Sequence, residues 1–167
     1  ISVVIPLFNE EKNIPVIYSQ ISEAFKSRSR KFEVIFVNDG STDKSREVLA
    51  ELNRTHPGVT VLSLLKNRGK AAALEVGVVQ AKGKYVAVID CDLQYDPKDL
   101  NRMMDELDSG FDFVSGRRMT REDSKNMAVT SAVFNVLIRR LTGLQFADYF
   151  SGLKCFRREV IDYLSLY

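Results

Sequence analysis

Apolar residues along this chain come in two textures. Short continuous runs rich in Val and Ile lie at residues 1–6 (ISVVIP), 32–39 (FEVIFVND), 59–65 (VTVLSLL), 84–90 (KYVAVID) and 111–116 (FDFVSG). They are apolar at successive positions and not at alternate ones, which predicts strands covered on both faces and a mostly parallel sheet between helices. Between the runs, apolar residues recur at helical spacing. Residues 9–25 place Ile14, Ile17, Ile21 and Phe25 on one stripe, with acids expected in the first turn. Residues 41–52 put Ser41 or Thr42 as a cap ahead of Val48, Leu49 and Leu52, and residues 96–107 put Asp96 before Pro97 at the first helical position. Residues 69–82 read as a small-residue helix in which Ala71, Ala72, Ala73 and Gly77 suit close packing. The alternation predicts an α/β fold, a mostly parallel central sheet with helices on both faces.

After residue 116 the texture changes. Residues 117–130 are polar without a clear period, and "AVFNVLIRRLTG" then resumes as an amphipathic helix ended by Gly143. The whole chain, 1–167, is read as one domain with two parts, residues 1–116 and 117–167. It opens at Ile1 and stops inside a helical-looking stretch, which reads as a trimmed piece of a longer protein.

Composition narrows the class. The chain has 167 residues, 45% of them hydrophobic, enough for a full core. Its formal net charge of +2 gives no support to a nucleic-acid partner. Two cysteines, Cys91 and Cys155, are too few for a disulfide framework and lack metal-ligand spacing, so both read as reduced thiols of an intracellular protein. No apolar run of bilayer length and no signal-peptide pattern is visible.

In open parallel sheets ligands bind beyond the carboxyl ends of the strands. Here those ends carry Pro6, Leu7, Phe8, Asn9 and Glu10; Asn38, Asp39, Gly40 and Ser41; Lys66, Asn67, Arg68, Gly69 and Lys70; Asp90, Cys91, Asp92, Leu93 and Gln94; and Ser115, Gly116, Arg117 and Arg118. If the pleat persists through residue 92, Asp90 and Asp92 point to the same side, Cys91 turns inward, and Gln94 lies one step further along the same face. Two carboxylates with open positions suit Mg²⁺ or Mn²⁺ completed by substrate phosphates. The bland alternative is that the two acids cap the following turn. Cys91 reads as a small buried side chain and not as a nucleophile. His56, before the third strand, lies away from the carboxyl ends, and Lys70 has the reach to meet a phosphate.

Five blocks, "SVVIPLFNEEKNI", "FEVIFVNDGSTDKS", "NRGKAAALEVGVVQAKGKYVAVIDCDLQYDP", "FDFVSGRR" and "DYFSGLKCFRREVID", together resemble family 2 glycosyltransferases of the GT-A fold, a Rossmann-like architecture. The resemblance is strongest to enzymes that transfer a sugar to a polyprenyl or dolichyl phosphate. It implies a metal-dependent, inverting transfer of a hexose from a UDP- or GDP-sugar, with Mg²⁺ or Mn²⁺. It implies that Pro6 to Glu10, Val37, Asp39 and Gly40 hold the nucleoside, with Asp39 pairing to a base N–H. Asp90 and Asp92 become the metal motif, flanked by Cys91, with Gln94 as a third metal-side group. Lys70, Arg118 and Lys154 fall on the phosphate side, and Asp148 where relatives keep an acid. Catalytic roles fall by resemblance on Asp92, Arg118 and Asp148.

Two departures stand out: Asn38 where relatives often carry Asp, and Ala132 where several lipid-phosphate enzymes place a base. A lipid-phosphate acceptor is already largely ionised at neutral pH and needs no base, whereas a saccharide hydroxyl would need one, with Asp148 the best candidate. Arg139, Arg140, Arg157 and Arg158 read as a solvated helix face; Arg117, Arg118, Arg121, Lys125 and Lys154 join them if the surface meets an acidic lipid head group. The full-length protein is then expected in the cytoplasm, at the membrane face. The alternatives are transfer to a saccharide hydroxyl in cell-surface polysaccharide synthesis, and a nucleotide-binding or phospho-receiver-like module without transferase activity. A sugar-phosphate nucleotidyltransferase would show a glycine-rich loop where this chain has "PLFNEE".

Overall fold

The computed structural model describes residues 1–116 and 151–163. The chain runs β1 (Ser2–Leu7), α1 (Asn13–Lys26), β2 (Glu33–Asn38), α2 (Ser45–Thr55), β3 (Val59–Ser63), α3 (Lys70–Val79), β4 (Tyr85–Val88), α4 (Asp99–Asp108), β5 (Phe113–Ser115), β6 (Lys154–Arg157) and α5 (Glu159–Tyr163). The six strands form one sheet in the order β3-β2-β1-β4-β6-β5. The first four are parallel, with Val4 beside Ile35 and Val88, and Val34 beside Val59. β6 is antiparallel to both neighbours, pairing Ala87 with Cys155 and Val114 with Cys155.

The continuous apolar runs are explained by the two cores. Val3, Ile5 and Leu7 pack with Ile14, Ile17, Ile21 and Phe25 of α1, Leu49 of α2 and Leu100, Met103, Met104 and Leu107 of α4. Val4, Ile35, Val37, Val86 and Val88 face the other way, under Ala73 of α3 and beside Val160 and Ile161 of α5. Successive side chains on a strand alternate between faces, so a strand with a core on each side is apolar throughout. β3 is the partial exception. At the sheet edge it leaves Val61 and Leu62 half-buried, and beyond it Leu65 is fully exposed.

Several local expectations are corrected. The acids Glu10 and Glu11 precede α1 and do not sit in its first turn; the Glu10 carbonyl instead accepts from Asn13 and Ile14 N–H. Neither Ser41 nor Thr42 caps α2, which begins at Ser45, where Asp43 Oδ1 accepts from Ser45 N at 2.9 Å. Pro97 lies in the turn before α4, initiated by Lys98 N donating to Asp96 Oδ1 at 2.9 Å. Close packing of α3 falls to Ala73 and Gly77, both buried, while Ala71 is exposed. The strand at 154–157 was not anticipated, because "KCFR" is too short to announce itself and its partners are distant in sequence. Arg157 therefore belongs to a strand and not to a solvated helix face: its guanidinium donates to the carbonyls of Phe111 and Leu107. No helix among the described residues is long and apolar enough to cross a membrane.

Candidate functional site

The chain adds β2 and β3 on one side of β1, then crosses to place β4 on the other. That reversal opens a crevice at the carboxyl ends of the strands, the usual ligand position in an open α/β sheet. A cavity of about 300 Å³ lies there, lined by Pro6 and Leu7 at the end of β1, Phe8 and Glu10 just past it, Asp39 after β2, Asn67, Gly69, Lys70 and Ala73 around the start of α3, and Asp90, Cys91 and Asp92 after β4.

The floor is built by backbone capture. Asp39 is buried, and its Oδ1 and Oδ2 accept from the amides of Arg68 and Gly69, each at 2.8 Å. Gly69 is in the left-handed region (φ +90°), which turns two successive N–H groups onto one carboxylate. Beside it, Gly40 (φ +70°) lets the loop after β2 touch the loop after β3, since a Cβ there would lie 2.5 Å from the Lys66 carbonyl carbon.

The two acids after β4 both reach the cavity, but not by the pleat. β4 ends at Val88, and Cys91 and Asp92 lie in a turn followed by Leu93 at φ +63°. Asp92 is exposed and its Oδ1 accepts from Gln94 N at 3.1 Å. Asp90 is held from two sides. Its Oδ1 is 2.5 Å from Lys70 Nζ, and its Oδ2 faces Gly152, where a Cβ would fall only 2.0 Å away. Gly152 N donates at 2.8 Å to the hydroxyl of Tyr95, which also meets Ser151 Oγ at 3.3 Å. Cys91 is buried, and burial, reinforced by the charges of Glu10, Asp92 and Asp90, pushes its thiol far above the ordinary range. A neutral, buried thiol is no nucleophile.

Other anticipated residues do not line this cavity. Gln94 lines a separate hollow with Gln20, Glu23 and Tyr95, because the turn at Leu93 ends the alternation that would have kept it beside Asp92. Asn9, at φ +59°, has its Oδ1 accept from Thr42 N at 2.8 Å and Asp43 N at 3.3 Å, so it ties two loops together. Val37 is buried under α3 and Gly40 serves the loop contact. Lys154, opposite Val88 on β6, donates to the Ser151 carbonyl and is not among the lining residues. Asn38, fully buried, accepts from Ser41 N at 2.9 Å through Oδ1, while its Nδ2 has no partner. His56 packs edge-on against Tyr18 before β3, at the opposite end of the strands. Arg118 and Asp148, with Arg117, Arg121, Lys125, Ala132, Arg139 and Arg140, lie outside the described residues. What the sequence reading missed is the wall behind Asp90, made by Tyr95, Ser151 and Gly152; the signal available was the small pair Ser151-Gly152.

The donor set fits a hard divalent cation of modest protein ligation. Among the described residues, Glu10, Asp39, Asp90 and Asp92 give the cavity four carboxylates against the ammonium of Lys70. Lys70 Nζ already sits on Asp90 as a cation would. Among the described residues no three His, Cys, Asp or Glu side chains converge as a closed metal cage, which leaves positions open for substrate oxygens or water.

The sequence model of glycosyl transferase family 2 matches residues 2–164. The chain is 34% identical over 165 residues to the undecaprenyl-phosphate 4-deoxy-4-formamido-L-arabinose transferase of Photorhabdus laumondii, covering 97% of this chain and 50% of that protein. It is 36% identical over 164 residues to the protein of the same name from Pectobacterium atrosepticum, with the same coverage. The chain thus spans about half the length of the curated relatives it matches. Among solved structures, a Pyrobaculum calidifontis mannosyltransferase in complex with GDP-Man and Mn²⁺ aligns over 98% of this chain and 46% of its own, with TM-score 0.72 and 26% identity. Mycobacterium tuberculosis glucosyl-3-phosphoglycerate synthase in complex with UDP aligns over 98% and 58%, with TM-score 0.75 and 25% identity. Both carry the GT-A architecture seen here, and with the family pattern running from β1 to α5 the chain belongs to glycosyl transferase family 2.

Proposed function

We propose that this chain is the catalytic part of a metal-dependent, inverting glycosyltransferase that moves a sugar from a UDP- or GDP-sugar to a polyprenyl phosphate. The observation that carries the reading is the charge balance of the cavity at the strand ends, four carboxylates and one ammonium among the described residues. A nucleotide diphosphate is repelled by such a lining unless a divalent cation enters with it. The solved relatives, one in complex with GDP-Man and Mn²⁺ and one with UDP, support a sugar nucleotide, and the curated relatives' names support the polyprenyl phosphate. Those names carry an arabinose, a pentose, so the hexose expected from sequence widens to a glycosyl group.

In this reading Asp39 with Pro6, Leu7, Phe8 and Glu10 takes the nucleoside, and Asp90 and Asp92 hold the cation. When bound, that cation supplies positive charge to the diphosphate as the bond from the sugar to the phosphate oxygen breaks. Lys70 and Arg118 stabilise the same developing charge, a contribution of about 3 kcal/mol per preorganised donor. The phosphate oxygen of the lipid attacks the sugar carbon from the opposite face. With a second pKa of about 6 that phosphate is already ionised, so no general base is required. Transfer to a saccharide hydroxyl would instead need Asp148 as base.

The test is calorimetric. UDP and GDP are titrated into the protein with and without Mn²⁺, and into Asp92→Ala. Metal-dependent binding of one nucleotide, weakened at least about tenfold in Asp92→Ala, is expected. No nucleotide binding by folded protein in either condition would sink the reading. Transfer from the bound sugar nucleotide to undecaprenyl phosphate in detergent then checks the acceptor.

A further inference from the structure

Asp90 is the only carboxylate lining the cavity that has a salt-bridge partner among the described residues. Its Oδ1 lies 2.5 Å from Lys70 Nζ; the Asp90 side chain is 23% exposed and that of Lys70 49%. Lys70 is the first residue of α3, so its backbone is fixed by the helix while its four-carbon stem is free to swing. Behind Asp90 there is no room to retreat, because Gly152 closes on Oδ2. The carboxylate therefore faces the cavity with a cation already on it.

We infer that Lys70 is a resident counter-cation of Asp90, which competes with the divalent cation until the donor's diphosphate draws the ammonium away. The inference rests on the donor-site reading above. Two cations on one partly buried carboxylate repel each other, so the free protein binds the divalent cation weakly. A diphosphate offers Lys70 oxygens that form charge-assisted hydrogen bonds of the same kind, releasing Asp90. Cation and donor thus enter as a coupled pair, and the factor by which the nucleotide tightens the cation equals the factor by which the cation tightens the nucleotide. The device keeps Asp90 neutralised when the cavity is empty and prevents a divalent ion from occupying it unproductively.

The test reads Mn²⁺ directly, by electron paramagnetic resonance titration of the full chain without nucleotide and at saturating UDP or GDP. A neighbouring charge at this distance changes a carboxylate's affinity for a cation about tenfold or more. Lys70→Met is therefore expected to bind Mn²⁺ about tenfold more tightly than wild type without nucleotide, and to show a smaller tightening when nucleotide is added. Lys70→Arg, which keeps the charge, is expected to behave as wild type. Lys70→Gln repeats the measurement if the methionine variant fails to fold. Mn²⁺ binding without nucleotide that is unchanged or weaker in Lys70→Met overturns this inference alone. Absence of Mn²⁺ binding by every folded protein, with and without either nucleotide, overturns the donor-site reading and this inference with it.

Discussion

Gly152 has no side chain where one would strike the carboxylate that faces the cavity. An alanine there puts its Cβ 2.0 Å from Asp90 Oδ2, with Tyr95 Cε2 also close at 3.1 Å. The short Asp90 side chain must then rotate, which takes it off Lys70. Gly152→Ala is expected to weaken Mn²⁺-dependent nucleotide binding at least about tenfold while the protein still unfolds cooperatively, because the clash falls on a side-chain end and not on backbone. Calorimetry paired with a thermal melt checks it; unchanged affinity would remove Gly152 from the site. Most of the site was legible at this scale. Asp39, Asp90, Asp92, Lys70 and Glu10 are charged residues just past apolar runs, and each reaches the cavity. What was not legible depends on backbone turns. The left-handed residues Asn9 and Leu93 redirect Asn9 to the neighbouring loop and Gln94 to another hollow; asparagine tolerates such a turn without requiring it, and nothing in a leucine announces one.

Among the elements, α3 matters most to the cavity, since Lys70 and Ala73 project from its first turn. It can approach the sheet because Gly77 lies over β1 and β2: a Cβ there would come within 2.5 Å of Val4 Cγ1 and 2.7 Å of Val37 Cγ2. Valine methyls are stiff, so the helix must lift. Gly77→Ala gains about 1 kcal/mol in helix propensity, against about 1–3 kcal/mol of overpacking. The net expectation is destabilisation, up to about 2 kcal/mol by urea unfolding, with weakened nucleotide binding as the first turn moves. A stabilised variant would mean that the helix tilts freely. The parallel strands and the four helices α1 to α4 were legible because each carries its own pattern. β6 was not, because a four-residue strand is specified by its neighbours: Val86 and Phe113 flank Phe156, and Ala87 and Val114 flank Cys155. Helix starts were misplaced by a few residues for a related reason, since Asp43 and Asp96 initiate turns and do not cap helices directly.

For the whole molecule, the two cores and the seam at β6 set how the fold responds to alkali. Cys155 is fully buried on the antiparallel strand, and burial pushes its thiol up to about 12 from an ordinary value near 9. The unfolded chain loses this proton first as pH rises, so stability is fully present below about pH 9 and declines as pH climbs towards about 12. The slope contributed by one such group is about 1.4 kcal/mol per pH unit. Urea midpoints measured between pH 9 and pH 11 are expected to fall less steeply in Cys155→Ala than in wild type, whatever the offset caused by the lost sulfur. Equal slopes would mean that the thiol is more accessible than its position indicates.

The grip of Asp39 on the amides of Arg68 and Gly69 has a consequence for the exchange of backbone protons with solvent. Arg68 and Gly69 sit in an exposed loop between β3 and α3, where amide protons ordinarily exchange quickly. With each N–H held at 2.8 Å by a buried carboxylate, the two should exchange as slowly as strand amides and form an island of protection within an otherwise open segment. Asp39→Asn retains one acceptor and turns an amide group towards the other N–H, so one of the two protons should become labile. A deuterium-exchange time course on peptides spanning the loop would then follow, residue by residue, how firmly this corner of the crevice is shaped before any ligand arrives.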